Sequence, residues 1–260
     1  MIYKNNYLSD VIIRVDFVSQ EESLKHSLSS NVKNTCVRYF PVPETRQVET
    51  QQVVVSNLPG AQNTTVSKEQ LTEWHFWGLD KEKELCITST CLFINVKRYR
   101  KYEELKDQFF HILESFTTEY SGVRINRVGL RYINQISLAP EKRLRKSWHT
   151  YWSKYINESL VRNMSFPDND SALARCMSSI EMNYGDHMLR FQYGAFNPDY
   201  PAPNKKNSFV LDIDVYTTGL IEISDVRNNV DTFHDNVITW FEKAIKADLR
   251  TKMGVEGSEE

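Results

Sequence analysis

The sequence predicts an α+β fold in which antiparallel sheets are covered by long helices. Strand-like stretches rich in β-branched residues recur along the chain with short turn signals between them. Two longer stretches, 101–120 and 229–250, switch to helical spacing. Phe, Tyr and Trp supply 12 % of the 260 residues, enough to build a substantial core although apolar residues total 40 %. This length admits one large domain or two small ones. Each half carries antiparallel strand candidates and a long helix, which allows two structurally related lobes. Their expected bounds are 1–165 and 175–250, with 166–174 as a candidate linker and 251–260 as a flexible tail.

From the N-terminus, DVIIRVDFV (10–18) reads as a strand and 20–31 as a short helix weakened by serine. Residues 46–56 return as a strand, and LPGAQNTT then reads as a loop turned by Pro59–Gly60. LTEWHFWGLD (71–80) and ELCITSTCLFINV (84–96) suit two antiparallel strands. Leu105, Phe109, Ile112, Leu113 and Phe116 then form an apolar stripe on a helix. Gly122 suits the helix-to-strand transition, and 123–138 is a long strand candidate. A second helical candidate starts at Pro140 and contains Leu144, Trp148, Tyr151, Trp152 and Tyr155. Residues 175–184 and 187–196 pair around Tyr184–His187, a proline-rich surface loop follows, and FVLDIDVYT (209–217) is a further strand. The terminal helix carries Val230, Phe233, Val237, Trp240, Phe241, Ile245 and Leu249 near helical spacing.

Composition excludes several classes. Nine glycines and eight prolines rule out collagen-like or low-complexity architecture. A net charge of −2 excludes a chain that is basic overall, while leaving room for a local basic patch. No apolar run approaches the ~20 residues that span a bilayer, and the N-terminus lacks the pattern of a secretory signal. No membrane association is expected. Four scattered cysteines in a chain of this size fit a reduced, cytoplasmic compartment. Six histidines form no short ligand array, and an uninterrupted strand would send Cys86 and Cys91 to opposite faces. GxGxxG, Walker, HExxH and GxSxG patterns are all missing, so no cofactor, metal or catalytic residue is assigned.

The most distinctive segment is VRINRVGLRYINQI (123–136). In an uninterrupted strand, Arg124, Asn126, Val128, Leu130, Tyr132 and Asn134 share one face. Ile125, Arg127, Gly129, Arg131, Ile133 and Gln135 share the other, and a bulge at Gly129 would change that register. Arg127 and Arg131 can each grip a carboxylate or phosphate through the guanidinium fork, or bridge secondary structure. Basic clusters flank the segment: Lys97, Arg98, Arg100 and Lys101 on one side, Lys142, Arg143, Arg145 and Lys146 on the other. Brought together with Arg124, Arg127 and Arg131, they would form a phosphate-contacting surface, with Tyr99, Tyr102 and Trp148 available to stack on bases. An ordinary charged surface or protein interface accounts for the same residues. Asp212 and Asp214 share a strand face, read as water-exposed; Asp231 and Asp235 share a helix face near His234.

DVIIRVDF, RVGLRYINQI, LDIDVY and FHDNVITWFEKAIKADLRTKMG, in that order, resemble a sporadically distributed family of bacterial proteins of similar length. That family carries a GLRYIN-like central segment and a terminal HxxxxxxFExxI helix followed by LRxxMG. The counterparts are Gly129–Asn134, His234, Phe241–Ile245 and Leu249–Gly254. The resemblance implies a bacterial origin and a mixed α/β organisation, with no reaction or cofactor attached. The sporadic distribution is compatible with accessory systems such as phage defence. The leading expectation is a cytoplasmic recognition or scaffold component that binds another protein or itself, with aromatic and arginine residues at the interface. Arg98, Arg100, Arg124, Arg127, Arg131, Tyr132, Asn134, Arg143, Arg145 and Trp148 are its candidate interface or phosphate-binding residues. The rivals are an RNA- or DNA-processing subunit and a sensor of a nucleotide-like anion.

Overall fold

β1 (Leu8–Phe17) alternates as its sequence demands: Val11, Ile13 and Val15 are fully buried, while Ile12, Arg14 and Asp16 point the other way and stay half-buried. The computed structural model describes residues 3–58, 61–138 and 147–254. β1 lies near the middle of a nine-stranded sheet, between β5 (Cys91–Val96) and β6 (Ile125–Ser137), and is antiparallel to both. Beyond β5 come β4 (Lys83–Ile87), β3 (Ala61–Trp77) and β2 (Val42–Leu58). Beyond β6 come β9 (Ser208–Ile221), β8 (Met188–Ala195) and β7 (Cys176–Asn183), and every pairing is antiparallel.

This architecture corrects the expectation of sheets covered by long helices and of two related lobes. β6, from the first half of the chain, pairs with β9, from the second, from Ile125 to Ser137. One apolar core runs unbroken from Val11 to Met253. Alternation specifies which face a strand buries and leaves its partner strand open, so two similar halves can merge into one sheet.

The helices lie on one face of the sheet. α2 (Tyr102–Glu119) stacks Phe116 on Phe17 of β1 at 5.2 Å, burying the stripe its spacing predicted. α5 (Ile223–Ala244) sets Phe233 and Trp240 against His187 and Phe191. The remaining helices are short: α1 (Ser30–Tyr39), α3 (Trp148–Trp152), α4 (Glu158–Val161) and α6 (Ala247–Met253). The expected single helix over 229–250 breaks at Ile245, which turns extended and bridges Ile156. The short helix expected over 20–31 reduces to a 3-10 turn at Glu22–Lys25 and the first turn of α1. Of the helix expected from Pro140, the described part contains α3; residues 140–146, Leu144 among them, lie outside the described residues, as does the tail beyond Gly254.

The stretch expected as a loop at LPGAQNTT is largely strand: β2 continues to Leu58 and β3 begins at Ala61, with Pro59–Gly60 outside the described residues. The resulting hairpin pairs Val42 with Trp77 at its base and Leu58 with Ala61 at its far end. Only Trp74–Trp77 of β3 pair with β4, so from Arg46↔Glu73 outward the ribbon has no third strand among the described residues. At ~3.4 Å per residue, that free part spans about 40 Å. Its root is held by the Glu22–Lys25 turn, where Trp74 Nε1 donates to the Leu24 carbonyl at 2.8 Å and Thr72 Oγ1 to that of Lys25 at 2.5 Å.

Candidate functional site

The face of the sheet turned away from the helices carries an arginine–aspartate lattice. β6 sends Arg127, Gly129 and Arg131 to this face, because Val128, Leu130 and Tyr132 are committed to the core. The register irregularity falls between Ile125 and Arg127, not at Gly129. Arg131 forks onto Asp212, Nε to Oδ1 at 2.8 Å and Nη2 to Oδ2 at 2.6 Å. Arg127 lies between Asp16 at 3.5 Å and Asp214 at 3.6 Å, with its guanidinium over the Tyr216 ring at 4.8 Å. Arg190 reaches Asp214 at 3.0 Å, and Arg14 Nε donates to Asp16 at 2.8 Å.

This corrects the reading of Asp212 and Asp214 as a water-exposed pair, since they are 7 % and 6 % exposed beneath the arginines. Burial pushes the Asp214 carboxyl up, with Arg127, Arg190 and Arg131 opposing. The Asp212 hydrogen bonds hold Arg131 more firmly protonated. With Asp10, which accepts from Asn95 on the same face, four carboxylates answer four guanidinium groups. The lattice is therefore close to neutral, and its guanidinium groups already have anionic partners.

The face continues over β5, β4 and β3. His75 is clamped between Glu84 at 2.6 Å and Glu73 at 2.9 Å, and Cys86 Sγ lies 3.9 Å from its Nε2. The turn at Thr88–Thr90 splits the expected strand 84–96 into a hairpin, which brings Cys86 and Cys91 to the same face. Burial raises both thiols, so neither is an activated nucleophile. Among the described residues, no group of three or more His, Cys, Asp or Glu could hold a metal ion.

The other sequence candidates do not join this lattice. Arg98 and Arg100 are exposed where β5 leads into α2, near the Val11 end of β1. Arg124 is exposed beyond the opposite end, where its carbonyl accepts from Val18. Tyr132 and Asn134 face the core, 5 % and 3 % exposed, on the side away from Arg127 and Arg131. Trp148 is buried, its Nε1 donating to the Asp170 carbonyl at 3.1 Å. Arg143 and Arg145 lie outside the described residues. A shallow cavity of about 190 Å³ beside Arg98, Arg100, Lys101 and Lys83 also contains Asp80, Glu82 and Glu104. It is smaller than the ~300–1,000 Å³ usual for ligand pockets, and its charges nearly balance.

A second polar cluster sits between α2, α5 and β6. The Tyr102 and His234 rings stack at 3.8 Å, and His234 Nδ1 lies 3.1 Å from the Tyr132 hydroxyl, which meets the Tyr99 hydroxyl at 2.8 Å. Tyr102 donates to Asp231 at 2.6 Å, and Lys106 bridges the same carboxylate. Burial pushes the Tyr99 phenol to about 12 and raises Tyr132 well above its ordinary value, while it lowers His234. The tyrosines expected to stack on bases are thus engaged with one another and with α5. The signals in the sequence were the Tyr102/Lys106 and Asp231/His234 spacings, each one helical turn.

No protein-family profile matches the chain, and no curated protein matches it. No helix among the described residues is long and apolar enough to cross a membrane.

Proposed function

We propose that the chain is a protein-recognition component of a larger assembly and that the β2–β3 arm is its principal contact. The observation that carries this reading is a long two-stranded ribbon with no third strand among the described residues, whose outer sequence from Thr50 to Ser67 contains no charged residue. An isolated two-stranded hairpin is marginal in water, and exposed strand edges are normally guarded by Lys, charge or a bulge. The outer arm has no charge of its own and no register shift along its pairing. Such a ribbon suits strand addition, in which backbone hydrogen bonds supply affinity and side chains supply selectivity.

The lattice favours this reading over nucleic-acid recognition. Phosphate recognition calls for guanidinium groups free to turn outward, and Arg127 and Arg131 are held by Asp16, Asp214 and Asp212. The resemblance to a sporadically distributed bacterial family supports a cytoplasmic accessory complex, phage defence among the candidates. Shortening the arm from Arg46–Glu73 to a two-residue turn tests the assignment: partner binding is lost while the sheet remains folded.

A further inference from the structure

The far edge of the sheet differs from the arm and points to a second copy of this chain. β7 is the last strand at that end, so along its outer side alternate backbone N–H and C=O groups have no strand partner among the described residues. Its eight residues, CMSSIEMN, pair with β8 in unbroken register, with no proline or bulge, and Glu181 is the single charge. Met177 and Met182 are 41 % and 38 % exposed. Beside the strand, Asn163 donates to Ser178 Oγ at 3.1 Å, and three residues later Phe166 stands 90 % exposed. Among the described residues, the single Glu181 carboxylate is the one edge-guarding feature on this strand.

We propose that β7 pairs antiparallel with β7 of a second copy, centred on Ile180, to join two nine-stranded sheets into one. The sequence of the strand selects both the partner and the register. A two-fold antiparallel pairing keeps each residue opposite one on the same face, so the centre falls on a residue and not between two. Centred on Ile180, the helix-side face sets Ile180 against Ile180 of the second copy and Ser178 against Met182. The other face sets Ser179 against Glu181 of the second copy, so a hydroxyl donor meets the only carboxylate, twice by symmetry. Arg190, opposite Glu181 on β8, directs its guanidinium to Asp214 on the far strand. A centre on Ser179 would instead lay Met177 against the Glu181 carboxylate, an apolar group against a charge. This association uses the edge opposite the arm and does not depend on what the arm binds.

Sedimentation equilibrium of the full chain tests the pairing. The intact chain is expected to dimerise reversibly, and Ser179→Glu to weaken the dimer about tenfold by creating two like-charge pairs. Ser179→Lys should tighten it by a similar factor, and adding Glu181→Lys to Ser179→Glu should restore it. Ser179 is exposed, and circular dichroism of each variant checks that the fold is kept. A strictly monomeric chain overturns the proposal. So does a dimer indifferent to these substitutions, or one weakened by Ser179→Lys, which marks the Ser179-centred register. Shortening the arm leaves the predicted dimer intact, so failure here is distinguishable from failure of the arm as a recognition element.

Discussion

Arg131 reaches past Asp214, the residue directly opposite it on β9, to fork diagonally onto Asp212. That choice leaves Asp214 to Arg127 and Arg190, so two neighbouring carboxylates on one strand serve three arginines. The lattice follows from alternation: Arg127 and Arg131 on β6, with Gly129 between them, and Asp212 and Asp214 on β9 sit at outward positions and hold charge that the core face excludes.

Because Asp212 is buried while Arg131 is one-third exposed, removing the carboxylate costs more than a surface pair would. Asp212→Ala should destabilise by about 2 kcal/mol in urea unfolding. In a double-mutant cycle, Arg131→Leu with Asp212→Leu should recover much of that loss and give a coupling of at least ~1 kcal/mol.

Gly129 is the platform over which the Arg127 guanidinium lies, since an added Cβ would meet Nη1 at 2.9 Å and Nη2 at 3.1 Å. Gly129→Ala should displace Arg127 from Asp16, Asp214 and Tyr216 and cost about 1 kcal/mol. In an Arg127→Ala background the obstacle is gone, and the same substitution should be neutral or stabilising by ~0.5 kcal/mol. Gly194 sets the contrast: its φ is +148° and an added Cβ would lie 2.0 Å from the Cys176 carbonyl oxygen. Gly194→Ala should cost upwards of ~3 kcal/mol whatever the background.

His234 gives a pH dependence with a definite sign. Burial lowers its pKa below the ordinary 6.5, opposed by Asp235, Glu103 and Asp231, while Lys106 adds to the lowering. A histidine lowered on folding leaves stability intact above 6.5 and removes it as pH falls toward and through the folded pKa. Unfolding free energies measured from pH 7 to 5 should therefore decline more in the native chain than in His234→Gln. The difference should have a slope no steeper than ~1.4 kcal/mol per pH unit.

Much of the local structure was legible in the sequence. The α2 stripe, the two faces of β6 beyond its irregularity and the shared face of Asp212 and Asp214 all follow from residue period. Pairing was not legible. Nothing near Asp212 announces that Arg131, 81 positions away, will cover it, which is why a buried ion pair read as a wet surface. α1 escaped for a different reason: SNVKNTCVRY is poor in helix formers, and its helix is supported by Val32, Cys36 and the following Phe40 in the core. The long arm was hidden by Pro59–Gly60 and the polar residues around them, because a loop and a hairpin tip share the same composition. His234 and Tyr102 were each placed on the right helix, yet their stacking depends on how α5 packs beside α2.

The central claim is that the β2–β3 arm is the recognition element, and hydrogen exchange on the complex purified with its native partner tests it most directly. Backbone amides of 46–58 and 61–73 should gain protection on partner binding, with those of β1, β6 and β9 unchanged, and a chain shortened at the arm should lose the partner. Protection confined to the lattice face or the β7 edge, with partner binding undiminished in the shortened chain, would contradict the account.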